Sequence, residues 1–197
     1  MTQYDSLDQL FIRHNGIVRT NQVLQTGIAK TVFYDYAKEK GIEQVSHGVY
    51  VSPEAWVDSM YLLHLRCEQA VFSHETALYF HDLTDREPLE YTITVKSGYN
   101  PTKLKEDGIK VYTIKKELHN VGISTMTTSF GNPVLVYDKE RTICDIIRSR
   151  SDIEIQVLQD ALKQYVHRKD KDLHLLMKYA AMFHVEKVLR QYLEVLL

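Results

Sequence analysis

Apolar side chains recur along the first forty residues with a period near 3.6. Leu7, Leu10, Phe11 and His14 fall on one helical stripe, and Asn15-Gly16 stops it. Ile17-Val18 leads to Thr20, an N-cap for a second short helix carrying Val23 and Leu24. Thr26-Gly27 is a sharp turn, and a third helix runs from about Lys30 to Lys40, ending at Gly41. The period then drops to two. Ile42–Val45 and Val49–Val51 alternate around Ser46-His47-Gly48, which predicts a hairpin, and Pro53 closes the unit.

Beyond Pro53 a helix is expected to about Arg66, with Ala55, Trp56, Met60, Leu63 and Cys67 on overlapping apolar stripes. Ser73 caps another over residues 73–82. Strands are expected at Tyr91–Val95 and Ile109–Ile114, and a strand–turn–strand over Ser124–Tyr137 turns at Gly131-Asn132-Pro133. The pattern is helical from Lys139 to the end, in four segments: Lys139–Ser149, Ile153–His167, Lys171–Phe183 and Val185–Leu196. The fold class is therefore α+β, an N-terminal winged helix-turn-helix followed by a C-terminal α+β domain ending in a helical segment. The expected division is 1–52 as winged helix, 53–88 as helical connector and 89–197 as C-terminal domain.

Composition narrows the class. The 197 residues are 44% hydrophobic and 25% charged, ordinary for a globular protein with real cores. No apolar run approaches a membrane span, and MTQYDSLDQL lacks the basic start and apolar stretch of a signal peptide, so a cytoplasmic location is expected. Cys67 and Cys144 follow no metal spacing and read as buried, reduced thiols. The net charge of −2 hides an uneven distribution: residues 1–52 balance at 0, 53–138 at −4 and 139–197 at +2. Any attraction for nucleic acid must come from charge placed on one face.

Such a face can be read from the third helix. Ile28, Val32, Phe33, Tyr36 and Ala37 make its inward stripe, leaving Lys30, Thr31, Tyr34, Asp35 and Lys38 outward. In a helix-turn-helix this surface enters the major groove, where lysine meets phosphate or guanine and threonine a thymine methyl. Arg19, Thr20 and Asn21 sit at a helix start suited to a phosphate, and Ser46 and His47 form the wing tip. A winged helix used only for protein contacts is the alternative, favoured by Asp35 and the zero local charge.

Catalytic motifs fail on inspection. His74-Glu75-Thr76-Ala77-Leu78 begins like HExxH, but Leu78 stands where the second histidine belongs. Asp82, Glu90 and Lys96 suggest a nuclease-type metal site, but Thr94 occupies the position of its decisive carboxylate. No phosphate loop or nucleophile elbow occurs, so no catalytic residues, cofactor or metal are expected. Two features remain open. Lys139, Arg141, Arg148 and Arg150 form either a basic patch for an acidic ligand or solvated helix flanks paired with Glu140 and Asp145. The stripe Tyr179, Phe183, Val185, Val188, Leu189, Tyr192, Leu193 and Leu196 is either core or a partner-binding face.

Three stretches together resemble a known family: Gly41–Pro53 (GIEQVSHGVYVSP); Phe72–Leu78 (FSHETAL), followed by Leu83-Thr84-Asp85; and Val136–Asp145 (VYDKERTICD). Their order and spacing, over nearly the whole chain, resemble the AbiEi antitoxins of type IV toxin–antitoxin, phage-abortive systems. The resemblance implies a bacterial autorepressor that binds inverted repeats of double-stranded DNA in its own promoter, as a monomer or dimer. It also implies a functional partner, a nucleotidyltransferase-like toxin opposed without a stable complex. By matching position, DNA contacts would fall to Arg19, Thr20, Asn21, Lys30, Thr31, Tyr34, Lys38, Ser46 and His47, and an antitoxin surface to Lys139, Arg141, Arg148 and Arg150. In the third stretch, Arg141 and Asp145 stand i, i+4 and can pair.

Overall fold

The computed structural model describes residues 2–196. The chain is α+β and divides into two compact units: one runs to Glu68 and takes in Thr127–Pro133, and the other comprises Gln69–Met126 and the chain from Val134.

In the first unit, α1 (Gln3–Arg13) starts at a reciprocal cap. The Asp5 N–H donates to Thr2 Oγ1 (3.1 Å), and the Thr2 N–H donates to Asp5 Oδ2 (2.7 Å). Its apolar stripe is buried as expected, through Leu7, Leu10 and Phe11. The helix ends where Asn15 and Gly16 both take positive φ, 51° and 78°. Only Gly suits the second position, because a Cβ there would stand 2.5 Å from Ala55 Cβ and 2.6 Å from Ser52 Oγ. Ile17–Arg19 is a short strand, β1, followed by α2 (Thr20–Gln25), α3 (Lys30–Glu39), β2 (Glu43–Ser46) and β3 (Val49–Val51). The three strands form an antiparallel sheet in the order β1-β3-β2, with Val18 and Gln44 opposite Tyr50. Helices and sheet share a core of Leu7, Phe11, Val18, Val23, Phe33, Tyr36 and Tyr50.

The helix expected from Pro53 begins later, as α4 (Ser59–Arg66). Asp58 caps it, accepting from the Tyr61 N–H (3.0 Å), and its other oxygen accepts from Thr128 Oγ1 (2.6 Å) and Asn132 Nδ2 (2.9 Å). This carboxylate is buried, so each of these donors offsets its desolvation. Trp56, expected on an apolar helical stripe, instead lies before the helix and is 79% exposed. The stretch 53–88 also contains a strand, so it is not purely helical.

The second unit is built on a five-stranded sheet in the order β6-β5-β4-β8-β7. Its strands are β4 (Val71–Phe72), β5 (Thr92–Lys96), β6 (Lys110–Ile114), β7 (Ile123–Thr127) and β8 (Pro133–Tyr137). Strand β4 runs parallel to β8, with Phe72 opposite Val136, and antiparallel to β5, while β5 and β6 are parallel with Ile93 opposite Val111. The helices are α5 (His74–Phe80), α6 (Thr102–Glu106), α7 (Lys116–His119), α8 (Lys139–Arg148), α9 (Ile155–His167), α10 (Leu173–Met182) and α11 (Glu186–Leu196). Leu78, Ile143, Ile146, Leu162, Tyr165, Leu176 and Leu189 form the core of the helical layer.

Helix α8 is buried from Glu140 to Ile147, charged residues included. Glu140 Oε1 accepts from the Tyr165 hydroxyl and the Asp172 N–H, both at 3.0 Å. Cys67 and Cys144 are buried free thiols. Among the described residues no helix is long and apolar enough to cross a membrane.

Candidate nucleic-acid interface

Helix α3 divides as its spacing predicts. Phe33, Tyr36 and Ala37 are buried, whereas Lys30, Thr31, Tyr34, Asp35 and Lys38 are exposed along one side. Among the described residues neither Lys30 nor Lys38 enters an ion pair, so both ammonium groups face solvent uncommitted. Lys40, at the helix end, instead stands 3.8 Å from Asp8 and 5.9 Å from the Tyr36 ring centre. Tyr34 is propped between two rings: its centroid lies 5.9 Å from Phe33 and 6.4 Å from Tyr50. A half-exposed ring held this way loses little freedom on contacting a ligand.

The hairpin is tied to the start of α2. The Thr20 N–H donates to the Gly48 carbonyl at 2.9 Å, and Thr20 Oγ1 reaches the same oxygen at 3.4 Å. Gly48 supplies the positive φ (70°) that the turn requires. Thr20 is therefore a structural clamp as well as a candidate contact. Within the hairpin, the Tyr50 hydroxyl donates to Gln44 Oε1 (3.3 Å), and burial pushes that phenol's pKa up. His47 is exposed at the tip and Asn21 on the first turn of α2, while Ser46 is half-buried with its hydroxyl unpartnered.

Arg19 departs from the expectation of an available cation. Its guanidinium contacts Glu68 at 2.5 Å, which neutralises much of its pull on a phosphate. Glu68 is a residue that sequence reasoning missed. It lies 49 positions downstream with no local signal connecting it to Arg19.

The four residues expected as a basic antitoxin surface do not make one. Arg141 is fully buried, which removes it from any surface. Its Nε donates to Asp145 Oδ2 (2.9 Å) and its Nη1 to the carbonyls of Leu118 and Val121 (2.9 Å each). The guanidinium is sandwiched between the Tyr137 and Phe183 rings, 4.1 and 3.9 Å from their centres. The anticipated i, i+4 pair does form, but inside the core. Lys139 lies near Glu140 and Asp170 (3.7 and 3.6 Å), and Arg148 near Asp145 (3.4 Å). These two begin and end α8, about 14 Å apart along its axis. Only Arg150 is exposed without a carboxylate partner, among the described residues.

The second unit also holds a buried polar cluster. His74 is fully buried with φ +48°, its ring stacked on Tyr112 at 3.6 Å and its nitrogens near Ser73 Oγ (2.9 Å) and Ser149 Oγ (3.1 Å). Burial, reinforced by Arg148, Lys110 and Arg141, holds its pKa well below the usual histidine range. A neutral ring between hydroxyls satisfies both its nitrogens, and the Ser73 hydroxyl serves this network rather than capping α5.

The molecule is thus a mixed α+β protein whose first unit exposes one helix carrying two uncommitted lysines. Residues 5–53, about a quarter of the chain, match the family described as "Transcriptional regulator, AbiEi antitoxin". The likeness to AbiEi antitoxins read from the sequence is borne out over that segment, which contains the Gly41–Pro53 stretch. No curated protein matches the chain. Among solved structures, the RV2827C protein from Mycobacterium tuberculosis is similar in fold, with a TM-score of 0.60 at 12% identity over 92% of this chain and 72% of that one.

Proposed function

We propose that this protein is a DNA-binding transcriptional autorepressor and the antitoxin of a type IV abortive-infection system. Residues 1–52 act as a winged helix-turn-helix, with α2–α3 as the helix pair and β2–β3 as the wing. The observation that carries this reading is the exposed side of α3, where two uncommitted lysines flank Thr31 and Tyr34 inside the segment matching the regulator family. Lys30 and Lys38 engage phosphates, while Thr31, Tyr34 and His47 read base edges, with Asn21 and Ser46 beside them. Arg19 contributes once it exchanges Glu68 for a phosphate. The target is inverted repeats in the protein's own promoter. The second unit, which starts at Gln69 and includes most of 89–197, opposes a nucleotidyltransferase-like toxin without a stable complex. The protein itself catalyses nothing.

Fluorescence anisotropy of the DNA upstream of the gene, over a salt series, tests the reading. Replacing both Lys30 and Lys38 with Ala should weaken binding and flatten the log–log salt slope by roughly 2, close to 0.9 for each phosphate that is no longer neutralised. Thr31→Ala or Tyr34→Ala should erode the preference over random DNA while leaving the slope unchanged. Binding with no preference over random DNA would overturn the proposal in favour of a protein-docking module.

A further inference from the structure

The C-terminal apolar stripe has two destinations. Leu189 is fully buried in the helical core. Val188 and Tyr192 pack against that core at its edge and, together with Val195, which lies outside the stripe, line a groove of about 640 Å³ between α9 and α11 at i, i+4 and i+7, floored by Leu162. Val195 is 85% exposed there. The groove's charged lining residues are Arg150 and Lys163, and no carboxylate joins them among the described residues. Arg150 makes one hydrogen bond, from Nη1 to the Ile147 carbonyl (3.2 Å), and Lys163 enters no ion pair among the described residues. An open apolar floor with two cations beside it selects by charge as well as by hydrophobicity.

We propose that this groove binds an amphipathic helix of a partner protein whose apolar face is flanked by acidic side chains. Charge complementarity chooses the acid: an acidic flank meets Arg150 and Lys163, and a basic flank would meet two like charges. The shape favours a helix. The depression between two packed helices accepts a third by ridges-into-grooves packing, and a helix satisfies its own backbone hydrogen bonds over an aliphatic floor. Helix α11 spans 11 residues, or about 16 Å, which fits two to three turns with anchors at i, i+3 or i+4, and i+7. A nucleic-acid strand would require stacking platforms, and among the described residues Tyr192 is the only aromatic in the lining. This inference is independent of the DNA-binding proposal.

The test uses the full chain and two labelled synthetic peptides of about three turns. Both carry leucines at i, i+3, i+4 and i+7. One has glutamates on the flanks, the other lysines. By anisotropy the acidic peptide should bind at least tenfold more tightly, about 1.4 kcal/mol. Arg150→Glu combined with Lys163→Glu should reverse that order, and Val195→Asp should weaken the acidic peptide with no change in melting temperature. All three side chains are exposed, so folding is preserved. Equal binding of the two peptides, no binding, or an order unchanged by the double reversal would refute the proposal. Sedimentation showing concentration-dependent dimers that Val195→Asp abolishes would also refute it, by giving the groove to a second copy.

Discussion

Arg141→Ala is the most informative single perturbation of the second unit. The change removes the Asp145 ion pair, two hydrogen bonds to the Leu118 and Val121 carbonyls, and a plate held between two aromatic rings. Stripping one partner from a buried pair costs about 3–5 kcal/mol, and each orphaned carbonyl about 1 kcal/mol. Arg148 remains 3.4 Å from Asp145 and offsets part of the loss. The expected destabilisation is therefore about 4 kcal/mol, a large share of the ~5–15 kcal/mol typical of a domain. Urea unfolding followed by far-UV circular dichroism measures it. The single tryptophan, Trp56, is exposed in the first unit and does not report on α8.

A pH signature identifies the cause. Burial raises the Asp145 pKa, with Arg141 and Arg148 opposing it. A carboxyl whose folded pKa lies above its unfolded value favours folding most when protonated, and that contribution is lost as pH rises through the folded pKa. Removing Arg141 lifts this pKa further, so the variant should regain more stability than the wild type as pH falls from neutral through the folded pKa. Adding Asp145→Asn should cancel that excess recovery. A cost below about 1 kcal/mol, the scale of a surface pair, would refute the reasoning, as would a pH recovery that survives Asp145→Asn.

Two further outcomes follow from local geometry. Gly16→Ala should cost about 2–4 kcal/mol, from the left-handed backbone and the approach of its Cβ to Ala55 Cβ (2.5 Å) and Ser52 Oγ (2.6 Å); far-UV circular dichroism during urea unfolding measures it, and Ala55→Gly should restore only part of the steric cost, because the Ser52 contact remains. His74 has a depressed folded pKa, so its stabilising contribution is full above the unfolded value of about 6.5 and is lost as pH falls below it, at up to about 1.4 kcal/mol per pH unit. Replacing it with Gln should remove that part of the acid slope in urea midpoints, and an unchanged slope would show that the ring is not held neutral.

What the sequence made legible was whatever depends on neighbours in the chain. The inward and outward sides of α3 followed from a 3.6-residue period, and so did the four C-terminal helices and the Arg141–Asp145 pair. What it concealed depends on distant partners. Arg141 looks like a surface cation until the carbonyls of Leu118 and Val121 converge on it. Arg19 looks available until Glu68 reaches it. The delayed start of α4 comes from Asp58, whose side chain is held by donors 70 and 74 positions away. Strands β1 and β4, of three and two residues, are too short for alternation to show.

The ties from Asp58 to Thr128 and Asn132, with the 3.1 Å bond from Asn15 to Asn132, also bear on the order of assembly. The first unit is discontinuous in the chain, so it lacks part of itself until residue 133 has been synthesised. Its closing bonds span up to 117 positions, a long-range topology that slows folding. A nascent chain that has just emitted α4 carries a buried-type carboxylate whose donors do not yet exist. For this protein, maturation of the candidate reading head waits on translation through residue 133.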